Sequence, residues 1–160
     1  MNILITGVAG SGKSTIAREL QDRGYAVLDT DSIKDLSAWV DLATGKPNPN
    51  FERNSAKDWV DRYDWQWNEQ SLRQLLNKSG TNNTYFCGSS GNQALLYSLF
   101  DKVFLLEMDD QLLRYRLLHT HREHDYGKRP GELDVILGYY KDFQDQATAN
   151  GAIVIDAKKP

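Results

Sequence analysis

The chain has 160 residues, of which 40% are hydrophobic and 26% charged, and its net charge is −3 at pH 7. This is the length of one ordinary domain, and the composition excludes a wholly disordered chain. Slight acidity argues against general binding to nucleic acid, and no apolar run approaches the roughly 20 residues of a membrane span. A single cysteine, Cys87, excludes a disulfide framework and a cysteine-based zinc site. We therefore expect one cytoplasmic domain spanning 1–160, a monomer or small homo-oligomer, that binds neither nucleic acid nor membrane.

Short apolar runs alternate with segments of helical periodicity along the chain. The runs predict strands, and the periodic segments predict the helices between them. This alternation predicts an α/β fold in which helices cover both faces of a parallel sheet. Ligands of such sheets bind beyond the carboxyl ends of the strands. We predict strands at 2–6, 25–29, 84–87, 103–106 and 152–155, and helices at 14–23, 68–78, 92–100, about 109–120 and about 130–150.

The segment 7–14 reads GVAGSGKS and matches the phosphate-loop pattern G-x-x-x-x-G-K-[ST] in full. Glycines allow the backbone N–H groups of such a loop to surround a phosphate, and the following helix adds the positive end of its dipole. Lys13 is expected to reach the β- and γ-phosphates, and the Ser14 hydroxyl to ligate Mg²⁺. The alternatives are a glycine-rich turn with a surface lysine, or a loop that binds without catalysing. The predicted nucleotide contacts are Gly7, Ala9, Gly10, Ser11, Gly12, Lys13, Ser14 and Thr15.

With this loop and three further segments, the chain resembles the small P-loop kinases, which include adenylate-kinase-like, shikimate-kinase-like and gluconate-kinase-like enzymes. The further segments are the strand GYAVLDTD at 24–31, the turn FCGSS at 86–90 and the arginine-bearing stretch 122–130. The resemblance implies a three-layer P-loop NTPase fold with a five-stranded parallel sheet, and ATP and Mg²⁺ as cofactors. It also implies an acceptor insert at about 31–67 and a lid at about 119–130. The insert matches neither the shikimate pocket nor a standard nucleoside-monophosphate pocket.

Two aspartates leave the second predicted strand at its carboxyl end. Alternation along an extended chain places Asp29 and Asp31 on the same side. We expect Asp31 to orient an acceptor hydroxyl or to accept its proton, and the resemblance implies that Asp29 holds Mg²⁺ through water. Alternatively, one of the two caps the turn that begins near Ser32. Glu107 follows a strand that resembles a Walker B strand, but the small-kinase topology favours Asp29 as the acid beside magnesium.

The stretch 119–130 and the helix before it contain cations suited to a triphosphate. Arginine forms bidentate, charge-assisted hydrogen bonds with phosphate. We assign a nucleotide contact to Arg114 and catalytic roles to Arg122 and Arg129, while Arg116 and Lys128 are further candidates. At least one of Arg114 and Arg116 is expected on a solvated helix face. A metal site built from His119, His121 and His124 is not expected, because no matching acid or cysteine spacing accompanies them.

All four tryptophans lie between Trp39 and Trp67, inside the predicted insert. Aromatic rings with interspersed cations suit a planar or sugar-containing acceptor. The alternative is a compact mini-core that stabilises the insert, and the two readings are compatible. Trp39 and Val40 precede the turn 44–46 and are expected to form one arm of a hairpin. The predicted acceptor contacts are Asp31, Trp39, Trp65, Trp67 and Gly88, among rings that include Phe51, Trp59 and Tyr63 and cations that include Arg53, Lys57 and Arg62.

The leading hypothesis is an ATP- and Mg²⁺-dependent kinase that transfers the γ-phosphoryl group to a small molecule. Nucleotide or nucleoside acceptors and non-nucleotide alcohols are nearly balanced. A second hypothesis is an NTP hydrolase, although the chain is too short for an AAA+ ATPase with a helical lid and lacks the Asn-Lys-x-Asp motif of regulatory GTPases. A third is a nucleotide-binding protein without turnover.

Overall fold

The computed structural model describes residues 1–53, 59–78, 82–120, 126–129 and 131–158. Its main sheet is formed by β1 (Asn2–Thr6), β2 (Ala26–Asp29), β6 (Thr84–Cys87), β7 (Lys102–Glu107) and β8 (Ile153–Asp156). All neighbouring pairs are parallel, in the order β2-β6-β1-β7-β8. The five predicted strands are confirmed to within one or two residues. Strand β1 is central, so the loop that follows it emerges in the middle of the carboxyl edge of the sheet.

Four α-helices connect or flank these strands within the described residues. They are α1 (Lys13–Asp22), α2 (Glu69–Lys78), α3 (Asp110–His119) and α4 (Glu132–Ala149). The Asp109 side chain caps α3 by accepting a hydrogen bond from the backbone N–H of Leu112 at 2.9 Å. These helices lie where the periodicity predicts them.

The helix predicted at 92–100 is instead a 3₁₀ helix, Gln93–Leu99. Its tighter turn buries Gln93, whose Oε1 accepts a hydrogen bond from the Thr6 hydroxyl at 2.7 Å. Leu96 is also buried, whereas Leu95 is 82% exposed. The hydrogen bond between Thr6 and the buried Gln93 therefore helps to fix the 3₁₀ geometry of this segment. The spacing of the leucines in the sequence does not indicate this contact.

Alternating residues of the central strands pack the two faces of the main sheet. Leu4 and Phe86, adjacent in the register, belong to a cluster with α2 and the 3₁₀ helix. Ile5 and Cys87 lie on the other face, against α1. A third cluster joins Val8 after β1 to α3 and α4. The phosphate-loop end of β1 is thus supported by packed side chains, and helices cover both faces as predicted.

The insert contains a second, antiparallel sheet of three strands, β3 (Ser37–Asp41), β4 (Lys46–Pro47) and β5 (Tyr63–Trp67), in the order β4-β3-β5. The hairpin predicted around the turn 44–46 is confirmed as β3 paired with β4. Strand β5 was not predicted, and it pairs with β3 so that Trp39 faces Trp65. The base of this sheet is closed by the Asn68 N–H, which donates to the Leu36 carbonyl at 2.8 Å.

Among the described residues, no helix combines the length and the apolar character that a membrane crossing requires.

Candidate functional site

The phosphate loop joins β1 to α1. Gly10 and Gly12 have φ angles of 84° and 102°, which lie in the left-handed region that side chains disfavour. The Ser11 N–H donates to the Val8 carbonyl at 3.1 Å, which closes the turn. Helix α1 begins at Lys13, directly after the loop. The predicted nucleotide contacts of 7–15 therefore lie together at the start of a helix and the end of a central strand, the arrangement that favours anion binding.

Lys13 folds back over the loop. Its Nζ donates to the carbonyl oxygens of Gly7 at 2.6 Å and Val8 at 3.1 Å. Burial lowers the pKa of Lys13 below its ordinary value, and the nearby charges of Asp31 and Asp29 act in the opposite direction. The carboxyl end of β2 is thus close enough to the loop for both aspartates to act electrostatically on its lysine.

Asp29 caps the short 3₁₀ turn Thr30–Ser32. Its Oδ1 accepts from the Asp31 N–H at 3.0 Å, and its Oδ2 accepts from the Ser32 hydroxyl at 3.1 Å. The capping alternative therefore applies to Asp29, and its role beside magnesium stays a prediction. Magnesium is commonly held by one or two carboxylates together with water and substrate phosphates. The hydroxyl of Ser14 and the carboxylates of Asp29 and Asp31 are oxygen ligands suited to Mg²⁺, so the residues present fit the ion.

Asp31 lies between the phosphate loop and the insert. It is exposed, and its Oδ1 accepts a hydrogen bond from the Trp65 indole N–H at 3.2 Å. Trp65 stands on β5, so the insert directly contacts the aspartate that acts on Lys13. Two residues predicted as acceptor contacts, Asp31 and Trp65, are therefore brought together.

The turn after β6 carries the insert against the main sheet. A Cβ atom on Gly88 would collide with the buried Thr30 hydroxyl, and one on Gly91 would collide with the Asp64 carboxylate. The Asn92 side chain accepts from the Trp67 N–H at 3.0 Å and donates to its carbonyl at 2.9 Å. Gly88 thus permits a close approach of β2 to this turn, whereas contact of Gly88 with an acceptor stays a prediction.

Sequence reasoning missed Asp64. It is half-buried on β5, and burial raises the pKa of its carboxyl group. Its Oδ2 accepts from the Gln66 amide at 3.0 Å. The absence of a Cβ at Gly91 creates the space for this carboxylate. Because the two residues meet only through the pairing of β5 with the turn after β6, no local pattern in the sequence marks them.

The aromatic residues of the insert form one cluster around Trp39. Its ring centroid lies 5.1 Å from that of Phe51, 5.3 Å from Trp59 and 5.5 Å from Trp65. Trp59 is only 5% exposed, so part of the cluster is the mini-core of the alternative reading. Another part borders a cavity of about 370 Å³, whose lining residues are Trp39, Phe51, Glu52, Arg53 and Arg129. The mini-core reading therefore applies to Trp59, whereas acceptor binding by Trp39 stays a prediction.

Trp67 requires a correction. We predicted it as an acceptor contact, but it is 2% exposed and packs in the main core, with its ring 6.4 Å from that of Phe100. It stands at the end of β5 where the strand enters the core beside α2. Trp67 shares only its residue type with Trp39 and Trp65, because its surroundings are those of the main core.

The arginines of α3 also differ from the prediction. Arg114, assigned to the nucleotide, is exposed and pairs with Asp110 one turn earlier at 2.7 Å. Arg116 instead approaches the phosphate loop, where Nη1 donates to the Ser11 carbonyl at 2.9 Å and Nη2 to the Ala157 carbonyl at 2.7 Å. One of the pair was expected on a solvated face, and that residue is Arg114. The rotation of α3 about its axis determines which of these two arginines faces the phosphate loop.

The described part of the predicted lid contacts the insert. Arg129 Nη1 donates to the Arg53 carbonyl at 2.7 Å, and both residues border the cavity. The predictions for Arg122, His121, His124, Lys57 and Pro130 lie outside the described residues. Glu107 is exposed at the end of β7, on the far side of β1 from β6, as the small-kinase topology predicts.

Three solved structures are similar to the chain over almost all of its length. Deoxyadenosine kinase from M. mycoides with bound dATP is 19% identical with a TM-score of 0.59, covering 100% of this chain and 93% of that one. Shikimate kinase from Aquifex aeolicus is 16% identical with a TM-score of 0.56, covering 100% and 88%. A gluconokinase from Sinorhizobium meliloti is 14% identical with a TM-score of 0.54, covering 99% and 83%.

These likenesses show that the fold is that of the small P-loop kinases, as the resemblance implied. No curated protein matches the chain by sequence. A family model described as an AAA domain matches residues 3–134, which include the phosphate loop, the described insert and the start of α4. The chain therefore belongs to this AAA domain family of phosphate-loop proteins.

Proposed function

We propose that the protein is an ATP- and Mg²⁺-dependent phosphotransferase that moves the γ-phosphoryl group of ATP to a small molecule bearing a hydroxyl group. The position of Asp31 carries the proposal. Its charge acts on Lys13 of the phosphate loop, and its carboxylate accepts from Trp65 of the insert. A group so placed connects a donor site to an acceptor site, which a phosphotransferase needs and a simple nucleotide-binding loop does not.

The phosphate loop supplies the donor half of the mechanism. Its backbone N–H groups and Lys13 bind and orient the phosphates of ATP, and lysine adds positive charge as the transferring group leaves. Ser14 would hold Mg²⁺, with Asp29 contributing through water. Bound Mg²⁺ neutralises negative charge on the β- and γ-phosphates. Lys13 then exchanges its contacts with the Gly7 and Val8 carbonyls for contacts with phosphate oxygens.

The insert supplies the acceptor half. Asp31 orients the acceptor hydroxyl and takes its proton as the oxygen forms a bond to the γ-phosphorus. The bond from that phosphorus to the β–γ bridging oxygen breaks, ADP leaves, and the proton passes from Asp31 to solvent. Phosphoryl transfer depends more on positioning and charge than on a strong base, so an exposed aspartate is sufficient.

The cavity beside Trp39 and Phe51 suits a planar or sugar-containing acceptor, because aromatic rings stack on such groups. Arg129 borders the same cavity and adds positive charge, while Arg53 at its edge is paired with Glu132. Closure of the lid over this space would exclude water, which otherwise competes with the acceptor hydroxyl for the phosphoryl group. A nucleoside and a non-nucleotide alcohol both satisfy these requirements.

The decisive experiment is a screen for ADP formation from ATP in the presence of nucleosides, nucleotides, sugars and other alcohols. Lys13→Ala is the blank, and we expect it to lose about 10²–10³-fold in turnover, as loss of a charge-stabilising donor does. Lys102→Ala, at the exposed first residue of β7, is the matched control and should retain activity. If no acceptor raises ADP formation above the blank, the proposal is wrong.

Asp31→Asn tests the acceptor half on whichever substrate the screen identifies. Asparagine still accepts a hydrogen bond from Trp65 but takes a proton poorly. We expect kcat/KM to fall by at least tenfold, about 1.4 kcal/mol of transition-state stabilisation. A smaller loss would leave Asp31 an orienting role and exclude proton transfer to it.

The match to an AAA domain supports a second candidate, an NTP hydrolase in which water is the acceptor. Rapid ATP turnover that no acceptor stimulates would favour this hydrolase. Tight ATP binding without any turnover would favour a binding protein.

A further inference from the structure

A buried glutamate joins the lid to the insert. Glu132, the first residue of α4, is 2% exposed. Its Oε1 accepts from Arg53 Nη1 of the insert at 2.8 Å. Its Oε2 accepts from the backbone N–H groups of Gly127 at 2.7 Å and Arg129 at 3.2 Å. One carboxylate therefore binds a side chain of the insert and two backbone groups of the lid.

A second contact closes these interactions into a ring. The Arg129 guanidinium donates to the Arg53 carbonyl at 2.7 Å, so Arg53, Glu132 and Arg129 are connected in a circuit. The Arg53 guanidinium also lies over the ring of Tyr126, 4.9 Å from its centroid. Tyr126 shares a side-chain hydrogen bond with Tyr139 of α4. Lid, insert and helix are thus held at one point beside the cavity.

Stability alone does not account for this arrangement. Burying a carboxylate and a guanidinium removes both from water, and well-packed apolar side chains often stabilise a fold as much or more. What the buried pair provides is a fixed geometry, because Oε1 of Glu132 restrains the insert while its Oε2 restrains the lid. The segment restrained most closely carries Arg129, which borders the cavity.

We propose that Glu132 is a positioning residue that holds Arg129 at the cavity, where it meets the γ-phosphate of bound ATP, and that it makes the described lid residues and the insert move as one unit. The contact of Arg129 with the γ-phosphate rests on the proposed function, which brings that phosphate to an acceptor in the cavity that Arg129 borders. Glu132 itself lies behind this arginine and acts through it. A ligand that displaces Arg53 in the cavity then also shifts Arg129, because Glu132 binds both residues. Acceptor binding and nucleotide binding are therefore energetically coupled through the Glu132 carboxylate.

The test is a double-mutant cycle between Glu132→Gln and Arg129→Ala in the full chain, read as the affinity for the Mg²⁺ complex of a non-hydrolysable ATP analogue. We expect Arg129→Ala to weaken binding by about tenfold or more, as loss of a hydrogen bond to a charged group does. Glu132→Gln should weaken it severalfold, and the double variant should bind no more weakly than Arg129→Ala alone. Glu69→Gln, at an exposed glutamate paired with Arg73, is the matched control and should change nothing.

Additive losses would overturn the proposal, because a merely structural Glu132 affects binding whether or not Arg129 is present. So would an unchanged affinity in either single variant. Thermal unfolding is measured on each variant. If Glu132→Gln does not unfold cooperatively, the pair Arg53→Gln/Glu132→Gln, which leaves no unpaired buried charge, replaces it in the cycle with the same expectation. Analogue binding requires no phosphoryl transfer, so a failed acceptor screen and an additive cycle are separate results.

Discussion

The phosphate loop and the acceptor insert meet at the same edge of the main sheet, but they are built in different ways. The loop is organised by backbone: left-handed glycines, a turn between Ser11 and Val8, and the start of α1, all within a short stretch of chain. The insert is organised by side chains and by pairing between distant residues, as in the register of Trp39 with Trp65. The proposed donor half is therefore a local structure, and the proposed acceptor half is a tertiary one.

This difference predicts that the insert depends on a buried ionic contact between residues far apart in the chain. Arg53→Met removes the partner of Glu132, whose side chain is 3% exposed, and leaves a buried charge uncompensated. We expect a loss of about 3–5 kcal/mol in the free energy of unfolding, measured by denaturant titration. Arg62→Met is the matched control, since its pair with Asp41 involves a side chain that is 64% exposed, and its effect should be much smaller. Equal losses in the two variants would remove the distinction.

A second prediction concerns the turn that carries the insert. Gly88→Ala places a methyl group against the buried Thr30 hydroxyl, so we expect a destabilisation of about 1–3 kcal/mol. Gly138 lies on the exposed surface of α4, where no atom is near an added methyl group. Gly138→Ala should therefore stabilise the protein by about 0.5–1 kcal/mol. Both free energies come from the same denaturant titration. A neutral Gly88→Ala variant would show that β2 and this turn separate easily.

A smaller effect is expected where the two halves touch. Trp65→Phe keeps an aromatic ring on β5 but removes the indole N–H that donates to Asp31. The hydrogen bond is exposed, so its loss should cost about 0.5–1.5 kcal/mol, seen as a roughly two- to tenfold fall in kcat/KM for the acceptor. The affinity for ATP should change less, and equal losses for both substrates would mean that Trp65 does not belong to the acceptor half.

The smallest expected effect concerns Cys87 and tests whether the end of β6 is accessible to solvent in the native protein. Burial raises the pKa of the Cys87 thiol from 9.0 to about 12, so the reactive thiolate is scarce at pH 8. We expect native protein to resist iodoacetamide at pH 8 and unfolded protein to react. The unfolded thiol ionises first, so the contribution of Cys87 to stability is complete below pH 9 and is lost as pH rises toward about 12. Rapid labelling of the native chain would show that this strand end opens.

The sequence predicts the local parts of this molecule well for a physical reason. Glycine at positive φ, and lysine and serine at fixed spacing, each act within a few residues, as the loop shows. It does not separate Arg114 from Arg116, because both have the same chemistry and only the rotation of α3 distinguishes them.

The tryptophans show where residue type stops being informative. Trp65 faces Asp31 while Trp67, two positions on, is buried beside Phe100, and the pairing of β5 decides which environment each receives. The same holds for the pairing of Glu132 with Arg53, which lies 79 residues earlier in the chain. Such contacts are set by tertiary pairing, for which a single sequence has no local signal.

The base of the insert has a consequence for how this fold can change. Leu36, buried in the main core, and Asn68, at the start of α2, are joined by one backbone hydrogen bond. The strands of the insert pair with one another, separately from those of the main sheet. Everything between these two residues is therefore a cassette whose ends stay together. If the proposed function holds, exchange of this cassette among related chains would change the acceptor while the phosphate loop stays the same. The junction of Leu36 and Asn68 is also the place to cut in order to graft another insert.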